Sequence, residues 1–214
     1  MELRAAKVRA LLAMLALHPG QVLSADRLAE GLWGEATPPS AANTLQGYVS
    51  QLRRALGPET VVTRSPGYLL AVPAEATDAG RFERLVAQGR TALADARPEE
   101  AAALLEQALE LWRGPVLAEF AYESFVQAEA ARLEELRLVA TEELADAKLT
   151  LGGHVELVSQ LRTLVDEHPL RERLWGQLML ALYRSGRQAE ALRAFAELRR
   201  RLREELGIDP SPVL

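Results

Sequence analysis

The sequence predicts a mainly α-helical protein that carries one short β-hairpin, placed directly after the third helix. Three observations support this fold class. Before residue 57, three segments with helical spacing of apolar residues are separated by clusters of proline, glycine and serine. Residues 61–72 contain two β-rich runs. From residue 78 onward the pattern is helical, with no second stretch of strand alternation.

Two helices and one short strand are predicted before residue 34. The strongly apolar run KVRALLAMLAL, residues 7–17, is followed by His18-Pro19-Gly20, which is typical of a helix end. Val22-Leu23 is long enough for one short strand. Ser24 then offers an N-cap for a second helix, Ala25 to Trp33, whose final indole ring we expect to fill the core.

A third helix is predicted from residue 40 to residue 56. Pro38-Pro39 prevent an earlier start, the hydroxyl of Ser40 is in position to accept from the first-turn amides, and Gly57 ends the helix. One side of this helix carries an apolar stripe formed by Leu45, Val49, Leu52 and Leu56. We expect this stripe to face the protein core.

The opposite side of the third helix is polar and contains no acidic residue. This side holds Asn43, Gly47, Ser50, Gln51 and Arg54, and it is flanked by Thr44, Gln46 and Arg53. Because it offers donors without a carboxylate, the surface suits a negatively charged groove. Gly47 costs roughly 0.8–1 kcal/mol in a helix interior relative to alanine. Its missing side chain would let the backbone approach base edges closely.

The hairpin consists of Val61–Arg64 and Tyr68–Val72, joined by Ser65-Pro66-Gly67. Proline suits the second position and glycine the third position of a type II turn. Arg64 then stands at the base of the turn, where it can reach a minor groove. Two helices, an enlarged turn, a polar third helix and a hairpin predict a winged helix-turn-helix. The alternative for the same residues is an amphipathic surface helix beside an ordinary hairpin.

Charge divides the chain into two parts. The 214 residues carry a net charge of −5, but residues 1–73 hold seven basic and five acidic groups, so their net charge is +2 and the remainder carries −7. This segregation is expected if only the first part meets phosphate. The absence of cysteine excludes disulfides and thiolate chemistry. With no apolar run long enough to span a bilayer and no signal-peptide pattern, we expect cytoplasmic residence.

Six or seven helices are predicted after residue 78. Proline and glycine mark the breaks between them, at Ala96-Arg97-Pro98, Arg113-Gly114-Pro115, Gly152-Gly153, His168-Pro169 and Ser185-Gly186. Asp78 is a suitable N-cap for the first of these helices. Residues 73–77 form the linker, so we expect a winged-helix domain over 1–73 and an all-α domain over 78–214.

A repeat is visible in the second half. GHVELV at 153–158 and GRQAEA at 186–191 are 33 residues apart, close to the ~34-residue tetratricopeptide period. The motif's positions are occupied by Trp175, Leu178, Gly186, Ala191 and Phe195. We expect these residues to pack adjacent helices rather than to bind a cofactor.

The sequence contains no recognisable catalytic or metal-ligating constellation. His18, His154 and His168 sit at predicted helix ends or turns without metal-ligand spacing, and no glycine-rich loop follows a strand. Acid pairs such as Glu142-Glu143 are explained by solvated helix faces with i,i+4 pairing. The arginines between 199 and 203 are expected to form a solvated helix face, with a second phosphate contact as the alternative. We therefore expect no enzyme, no cofactor and no metal.

Residues 11–57 and 61–72 resemble the OmpR-type winged helix of the Streptomyces antibiotic regulatory proteins, through LLAMLALHPGQVLSADRLAEGLWGEATPPSAANTLQGYVSQLRRALG and VVTRSPGYLLAV. The resemblance implies that helix 40–56 enters the major groove, that Arg64 enters the minor groove and that Arg53 contacts a phosphate. It also implies that Gln51 reads a base, and glutamine is a competent adenine reader. The candidate DNA-binding residues are Asn43, Thr44, Gln46, Gly47, Ser50, Gln51, Arg53, Arg54 and Arg64.

From residue 78 onward the chain resembles the same family's bacterial transcriptional activation domain, in LELWRGPVLAEF, HPLRERLWGQLMLALYRSGRQAEALRAF and the closing LREELGIDPSPVL. The resemblance implies an activator that binds promoter direct repeats, self-associates on DNA and contacts the sigma factor region of RNA polymerase, controlling a biosynthetic gene cluster. A rival interpretation makes the chain a protein-interaction adaptor whose winged helix no longer binds DNA.

The chain departs from the family pattern at its start. Family members open the winged helix with several strands packed on the first helix, whereas this chain begins MELRAAKVRALL. We therefore expect those strands to be missing and the apolar faces of Leu11, Leu12 and Leu15 to lose cover. We also expect truncation at both ends, because the closing phrase leads into another helix in relatives.

Overall fold

The computed structural model describes residue 3, residues 5–212 and residue 214. Its first part contains three helices and three strands. These are α1 (Ala6–Leu17), β1 (Leu23–Ser24), α2 (Ala25–Trp33), α3 (Ala41–Leu56), β2 (Val61–Arg64) and β3 (Gly67–Leu70). Each element predicted from the sequence is present, with most ends shifted by one or two residues. A 3-10 turn, Gly34–Ala36, occupies part of the enlarged turn between α2 and α3.

The three strands form an antiparallel sheet in the order β1-β3-β2. Arg64 pairs with Gly67, so that only Ser65 and Pro66 connect β2 to β3. The predicted type II turn is wrong, because Gly67 is the first residue of β3 and pairs with Arg64 rather than lying in the turn.

Gly67 is required by the neighbouring strand and not by the turn. A Cβ atom on Gly67 would lie 1.9 Å from the carbonyl oxygen of Leu23 and 2.8 Å from the Cα atom of Ser24. Both atoms belong to the backbone of β1, which cannot move aside as a flexible side chain can. Close backbone approach therefore accounts for glycine at this position.

The core of the first part is formed by α1, α2, α3 and the sheet. The expected loss of cover over α1 is wrong for Leu11 and Leu15, which are both 0% exposed, and Leu12 is half-buried. Phe120 and Phe125, from much later in the chain, pack against this same core. Part of the apolar surface that buries this core therefore comes from a segment distant in the sequence.

The apolar stripe of α3 is confirmed at three of its four positions. Leu45, Val49 and Leu52 are at most 1% exposed. Leu56 is 44% exposed, so its assignment to the core is wrong. It is the last residue of α3.

Backbone angles decide which serine caps its helix. Ser24 is extended (φ −64°, ψ 149°), and its hydroxyl accepts from the amide of Arg27 at 3.2 Å, which confirms the cap of α2. Ser40 directly precedes α3, but its predicted side-chain cap is wrong. With ψ at 9°, Ser40 is not extended, and its hydroxyl makes no capping hydrogen bond.

Six helices follow residue 77 in the described part of the chain, which agrees with the predicted six or seven. They are α4 (Asp78–Ala94), α5 (Pro98–Glu110), α6 (Ser124–Thr150), α7 (His154–Glu167), α8 (Glu172–Arg184) and α9 (Gln188–Leu206). Four of the five predicted breaks lie wholly between helices, and the fifth, Ala96-Arg97-Pro98, ends on the first residue of α5. None of the described helices is both long and apolar enough to cross a membrane.

The cap of α4 is one residue earlier than predicted. Asp78 is the first residue of the helix itself. Thr77 Oγ1 accepts from the amide of Gly80 at 3.0 Å, and Thr77 has the extended backbone of an N-cap (φ −100°, ψ 150°). Asp78 is therefore wrong as the cap, although a carboxylate in the first helical turn still favours the helix dipole.

The chain divides into two compact units, and the division does not follow the linker. The first unit comprises Met1–Arg84 and Glu110–Arg137, and the second comprises Leu85–Leu109 and Leu138–Leu214. Helices α4 and α6 contribute residues to both units, and so does α5, through its last residue, Glu110. The domain boundary at residues 73–78 remains a prediction about the sequence, whereas packing assigns the segment 110–137 to the same unit as the winged helix.

In the second unit, helix α8 packs on both α7 and α9. Trp175 and Leu178 are each 3% exposed and Ala191 is 9% exposed, as the tetratricopeptide-like repeat predicts. Gly186 takes a φ of +74° in the turn after α8, which favours glycine. Phe195 is only half-buried.

The solvated face expected for Glu142-Glu143 is wrong, because the two residues are only 1% and 8% exposed. Each carboxylate is paired within the second unit: Arg171 Nε donates to Glu142 Oε1 at 2.6 Å, and Arg90 Nε donates to Glu143 Oε1 at 2.7 Å.

Candidate nucleic-acid interface

The polar side of α3 lies at the surface of the first unit, because Leu45, Val49 and Leu52 anchor the other side in the core. The exposed residues on α3 are Asn43, Gln46, Gly47, Ser50, Gln51 and Arg54, and Thr44 and Arg53 are half-buried at the edges. No residue between 41 and 56 is acidic. The eight candidates on α3 thus form one donor-rich surface, which we call the α3 surface.

Short-range hydrogen bonds order the side chains of the α3 surface. The Ser50 hydroxyl donates to the carbonyl of Gln46 at 2.9 Å, and the Thr44 hydroxyl donates to the carbonyl of Ser40 at 3.1 Å. Arg54 Nε donates to the carbonyl of Ser50 at a long 3.4 Å. Because only Nε of Arg54 is engaged, its other N–H groups remain available to a ligand.

Gly47 lies in the middle of the α3 surface, and packing within the protein does not require it. A Cβ atom built on Gly47 would meet nothing within 4 Å. Since glycine is unfavourable in a helix interior and no neighbour excludes a methyl group here, the fold alone gives no reason for glycine. An approaching partner on the outside would supply such a reason.

Arg53 joins α3 to the hairpin. Its Nε donates to the carbonyl of Val61 at 2.7 Å, and one terminal nitrogen donates to Thr63 Oγ1, also at 2.7 Å. Both acceptors lie on β2. The guanidinium therefore fixes β2 relative to the C-terminal end of α3, a role that the sequence analysis did not foresee. Thr63 was also missed, because a threonine in a β-rich run is unremarkable without its partner.

Arg64 occupies the exposed end of the hairpin. It is the last residue of β2, immediately before the two-residue connection, and its side chain is exposed. Among the described residues it has no hydrogen-bond or ion-pair partner. An unpaired guanidinium at the tip of a short hairpin is free to enter a groove beside α3.

Contacts behind the α3 surface hold it in place. The rings of Trp33 and Tyr48 stack with 6.1 Å between centroids and an interplanar angle of 23°, which joins the end of α2 to the middle of α3. Trp33 is half-buried against the core. Lys7 Nζ on α1 donates to the carbonyl of Leu32 near the end of α2.

The arginines between 199 and 203 pair with acids of their own unit. Arg199 and Arg203 both donate to Asp209, at 3.0 and 2.9 Å. Hydrogen bonds from Arg200 and then Arg201 lower the pKa of Glu197 to about 2. These pairs favour the solvated helix face over a second phosphate contact.

None of the three histidines belongs to α3 or the hairpin. His18 follows α1, and burial lowers its pKa, with Arg27 adding to the effect. His168 follows α7, and His154 Nδ1 is buried without a hydrogen-bond partner. Within the described residues, no group of three or more histidine, cysteine, aspartate or glutamate side chains is arranged to hold a metal ion.

Comparison with protein families matches both parts of the chain. Residues 3–70 match the model described as "Transcriptional regulatory protein, C terminal". Residues 77–214 match the "Bacterial transcriptional activator domain". The first match includes the whole of α3 and the hairpin, and therefore all nine candidate residues.

Individual proteins and one solved structure are similar over nearly the whole chain. Regulatory protein DnrI of Streptomyces peucetius is 41% identical, over 98% of this chain and 81% of DnrI. Regulatory protein AfsR of Streptomyces griseus is 44% identical, over 96% of this chain but only 21% of AfsR. The structure of Mycobacterium tuberculosis EmbR in complex with low affinity phosphopeptide matches with a TM-score of 0.92 and 37% identity, covering 97% of this chain and 56% of that one.

Proposed function

This chain belongs to the Streptomyces antibiotic regulatory protein family of transcriptional regulators, and we propose that it activates transcription by binding promoter DNA in a sequence-specific way through α3. The observation that carries the proposal is the α3 surface, an exposed, acid-free helix face. Arg53 joins this helix to the hairpin, whose tip carries the unpaired Arg64. A major groove about 12 Å wide admits one α-helix, and its base edges match amide and guanidinium donors.

Two side chains on α3 read bases in this proposal. Gln51 pairs through its amide with adenine, and Arg54 pairs through two N–H groups with guanine, which are the contacts that geometry favours for these side chains. Gly47 lies one helical turn before Gln51 and lets the helix backbone come close to the base edges. Asn43, Thr44, Gln46 and Ser50 contribute shorter polar contacts along the same face.

Arg53 and Arg64 act on the phosphates and on the minor groove. Arg64 reaches the minor groove from the end of β2, where no described residue competes for its guanidinium. Arg53 contacts a phosphate with the N–H groups that are not engaged by Val61 and Thr63. The same side chain holds the hairpin at a fixed distance from α3, so its loss should weaken binding to every duplex alike.

The second half of the chain holds protomers together on direct repeats and contacts the sigma factor region of RNA polymerase. Two adjacent sites and a polymerase contact raise occupancy through effective concentration, so each contact alone can be modest. A promoter-binding role places the protein in the cytoplasm, and we expect its target to be a biosynthetic gene cluster. This chain spans 21% of the length of AfsR and 81% of the length of DnrI. These roles are therefore proposed for the whole regulator.

Selection from a random-sequence duplex library tests the proposal. The wild-type chain is compared with an Arg54→Ala, Arg64→Ala double variant and with a charge-matched control, Arg81→Ala, Arg193→Ala. The control arginines are exposed and lie outside the α3 surface and hairpin. All three proteins are first shown to have the same circular dichroism spectrum and melting temperature, so that a loss of binding is not a loss of folding.

Enrichment of spaced direct repeats by the wild type and the control, but not by the double variant, would support the proposal. Binding should also fall steeply with salt, because phosphate contacts release counterions. If the folded wild type enriches no sequence, the adaptor interpretation is favoured. If Arg53→Ala and Arg54→Ala cause equal, sequence-blind losses, the division of roles between them is wrong.

A further inference from the structure

The first compact unit contains a cavity that the proposed DNA contacts do not use. Its volume is about 510 Å³, within the range of about 300–1,000 Å³ that is usual for small-molecule sites. None of the residues that line it lies on α3 or the hairpin. Its walls come from α1, the start of α4, the loop between α5 and α6, and one residue of α6.

The cavity walls are largely apolar. Helix α1 contributes the small side chains of Ala13 and Ala16 together with Leu17, and α4 contributes Phe82. Small residues at two positions of α1 keep the interior open. Phe82 is 2% exposed and forms part of the apolar wall. Apolar surface of this extent favours a ligand that buries apolar area of its own.

An aromatic pair shapes one side of the cavity. The rings of Phe82 and Trp112 meet edge to face, with centroids 5.5 Å apart and an interplanar angle of 85°. The guanidinium of Arg137 lies over the Trp112 ring at 4.8 Å from its centroid. A flat ring system is well matched to such a wall, because offset and edge-to-face aromatic contacts are favourable beyond the area that they bury.

The charges at the cavity neutralise each other. Asp78 and Arg113 are the only charged residues among those described as lining it, and they form an ion pair. The cavity therefore offers no unpaired charge to an ionic ligand. Both side chains are largely exposed, so an ion buried against the apolar walls would be left uncompensated, which is costly.

The loop that closes the cavity is held in an unusual backbone conformation. Leu117 is left-handed, with φ 45° and ψ 52°, although bulky non-glycine residues rarely occupy that region. Its side chain lines the cavity. Such conformations persist where the surrounding structure imposes them, and they are concentrated at ligand sites.

We propose that this cavity binds an uncharged, largely apolar small molecule that contains a flat ring system. Bound there, the molecule would contact α1, which forms the core behind α3, and the loop before α6 at the same time. The site would add a small-molecule input to the regulator. Its test makes no use of DNA, so failure of the cavity proposal and failure of the proposed DNA-binding function can be told apart.

The probe for this test is N-phenyl-1-naphthylamine, an uncharged ring compound whose fluorescence rises in apolar surroundings. Titrated into the whole chain, it should bind one saturable site with a Kd of roughly 10–100 μM, a range set by ligand efficiency for a molecule of this size.

Two variants fill the cavity from different walls: Ala16→Phe from α1 and Val116→Trp from the loop. Each should weaken probe binding at least tenfold. The matched control is Ala103→Phe, an exposed alanine on α5 that does not line the cavity, and it should bind as the wild type does. Unsaturable binding by the wild type would overturn the proposal. So would unchanged binding in both filled variants when they remain folded.

One measurement needs no variant. In wild-type protein labelled at leucine and valine methyl groups, nuclear Overhauser effects should join the bound probe to Leu17, Val116 and Leu117. Effects confined to methyl groups of the second unit would overturn the proposal even if the affinity were as expected.

Discussion

Replacing Gly47 with alanine should make the protein more stable and a weaker DNA binder. The added methyl group would meet nothing within 4 Å, so it causes no strain in the free protein. Alanine is better than glycine in a helix interior by roughly 0.8–1 kcal/mol. We therefore expect the free energy of unfolding to rise by about that amount.

On DNA the same methyl group would stand between the α3 backbone and the base edges. If it displaces one neighbouring bidentate contact, worth about 1–3 kcal/mol, the Kd should rise roughly 5- to 150-fold. Stability is measured as the midpoint of urea unfolding, followed by circular dichroism and tryptophan fluorescence. Affinity is measured by fluorescence anisotropy with the selected duplex at fixed salt.

Two glycine variants serve as controls for Gly47→Ala. Gly67→Ala should destabilise the protein by about 1–3 kcal/mol, because a Cβ atom placed 1.9 Å from the carbonyl oxygen of Leu23 forces β1 away from β3. Gly176→Ala, in α8 of the second unit, meets only the flexible side-chain end of Leu214, and it should leave DNA affinity unchanged. If Gly47→Ala left affinity unchanged, or reduced stability, close approach of DNA would not be the reason for glycine at this position.

Three further changes test the packing, the capping and the ion pairs. Leu52→Ala should cost about 2–5 kcal/mol by urea unfolding, because Leu52 is 0% exposed; a cost below about 1 kcal/mol would contradict its place in the core. Thr77→Ala should lower the free energy of unfolding by about 1 kcal/mol through loss of the N-cap, more than Asp78→Ala does. The reverse order would support Asp78 as the cap. The pKa of Glu197 is about 2 in the folded protein against an ordinary 4.5, so its ion pairs stabilise above pH 4.5 and that contribution is lost as pH falls towards 2. The urea midpoint of Glu197→Gln should accordingly fall less over that interval than that of the wild type, and parallel curves would argue against the pairs.

Local signals in the sequence were sufficient for most of the helices. Apolar spacing and the Gly57 stop predict α3 to within one residue at each end. Ser24 was correctly identified as a cap, whereas Ser40, the same residue type at the same kind of position, was not. The difference lies in one backbone angle, ψ, which is 149° at Ser24 and 9° at Ser40. Composition does not determine that angle.

Features that depend on distant contacts could not be predicted. Glycine after proline is a common turn pattern, so the sequence predicts a turn role for Gly67, but glycine is required there by the nearby backbone of β1. The expectation that Leu11 and Leu15 would lose cover considered only the start of the chain. Phe120 and Phe125 carry no periodic signal that would link them to the core of the first part, against which they pack. Within the candidate site, the exposed positions on α3 follow from helical spacing, whereas the bonds from Arg53 to β2 do not.

The packing of Phe125 against the winged helix bears on how such regulators are dissected and recombined. A methyl group on Gly31 of α2 would lie 3.7 Å from the Cβ atom of Phe125, so the two segments are in close contact inside one unit. A gene fragment ending at the linker would encode the helices and hairpin of the DNA-binding half but leave this contact surface bare and prone to aggregation. A chimaera joined at the same point would pair one parent's α2 with another parent's Phe125 segment. The smallest portable piece of this protein is therefore discontinuous in the gene, and functional exchange between relatives should succeed more often when residues 110–137 travel with the first 84.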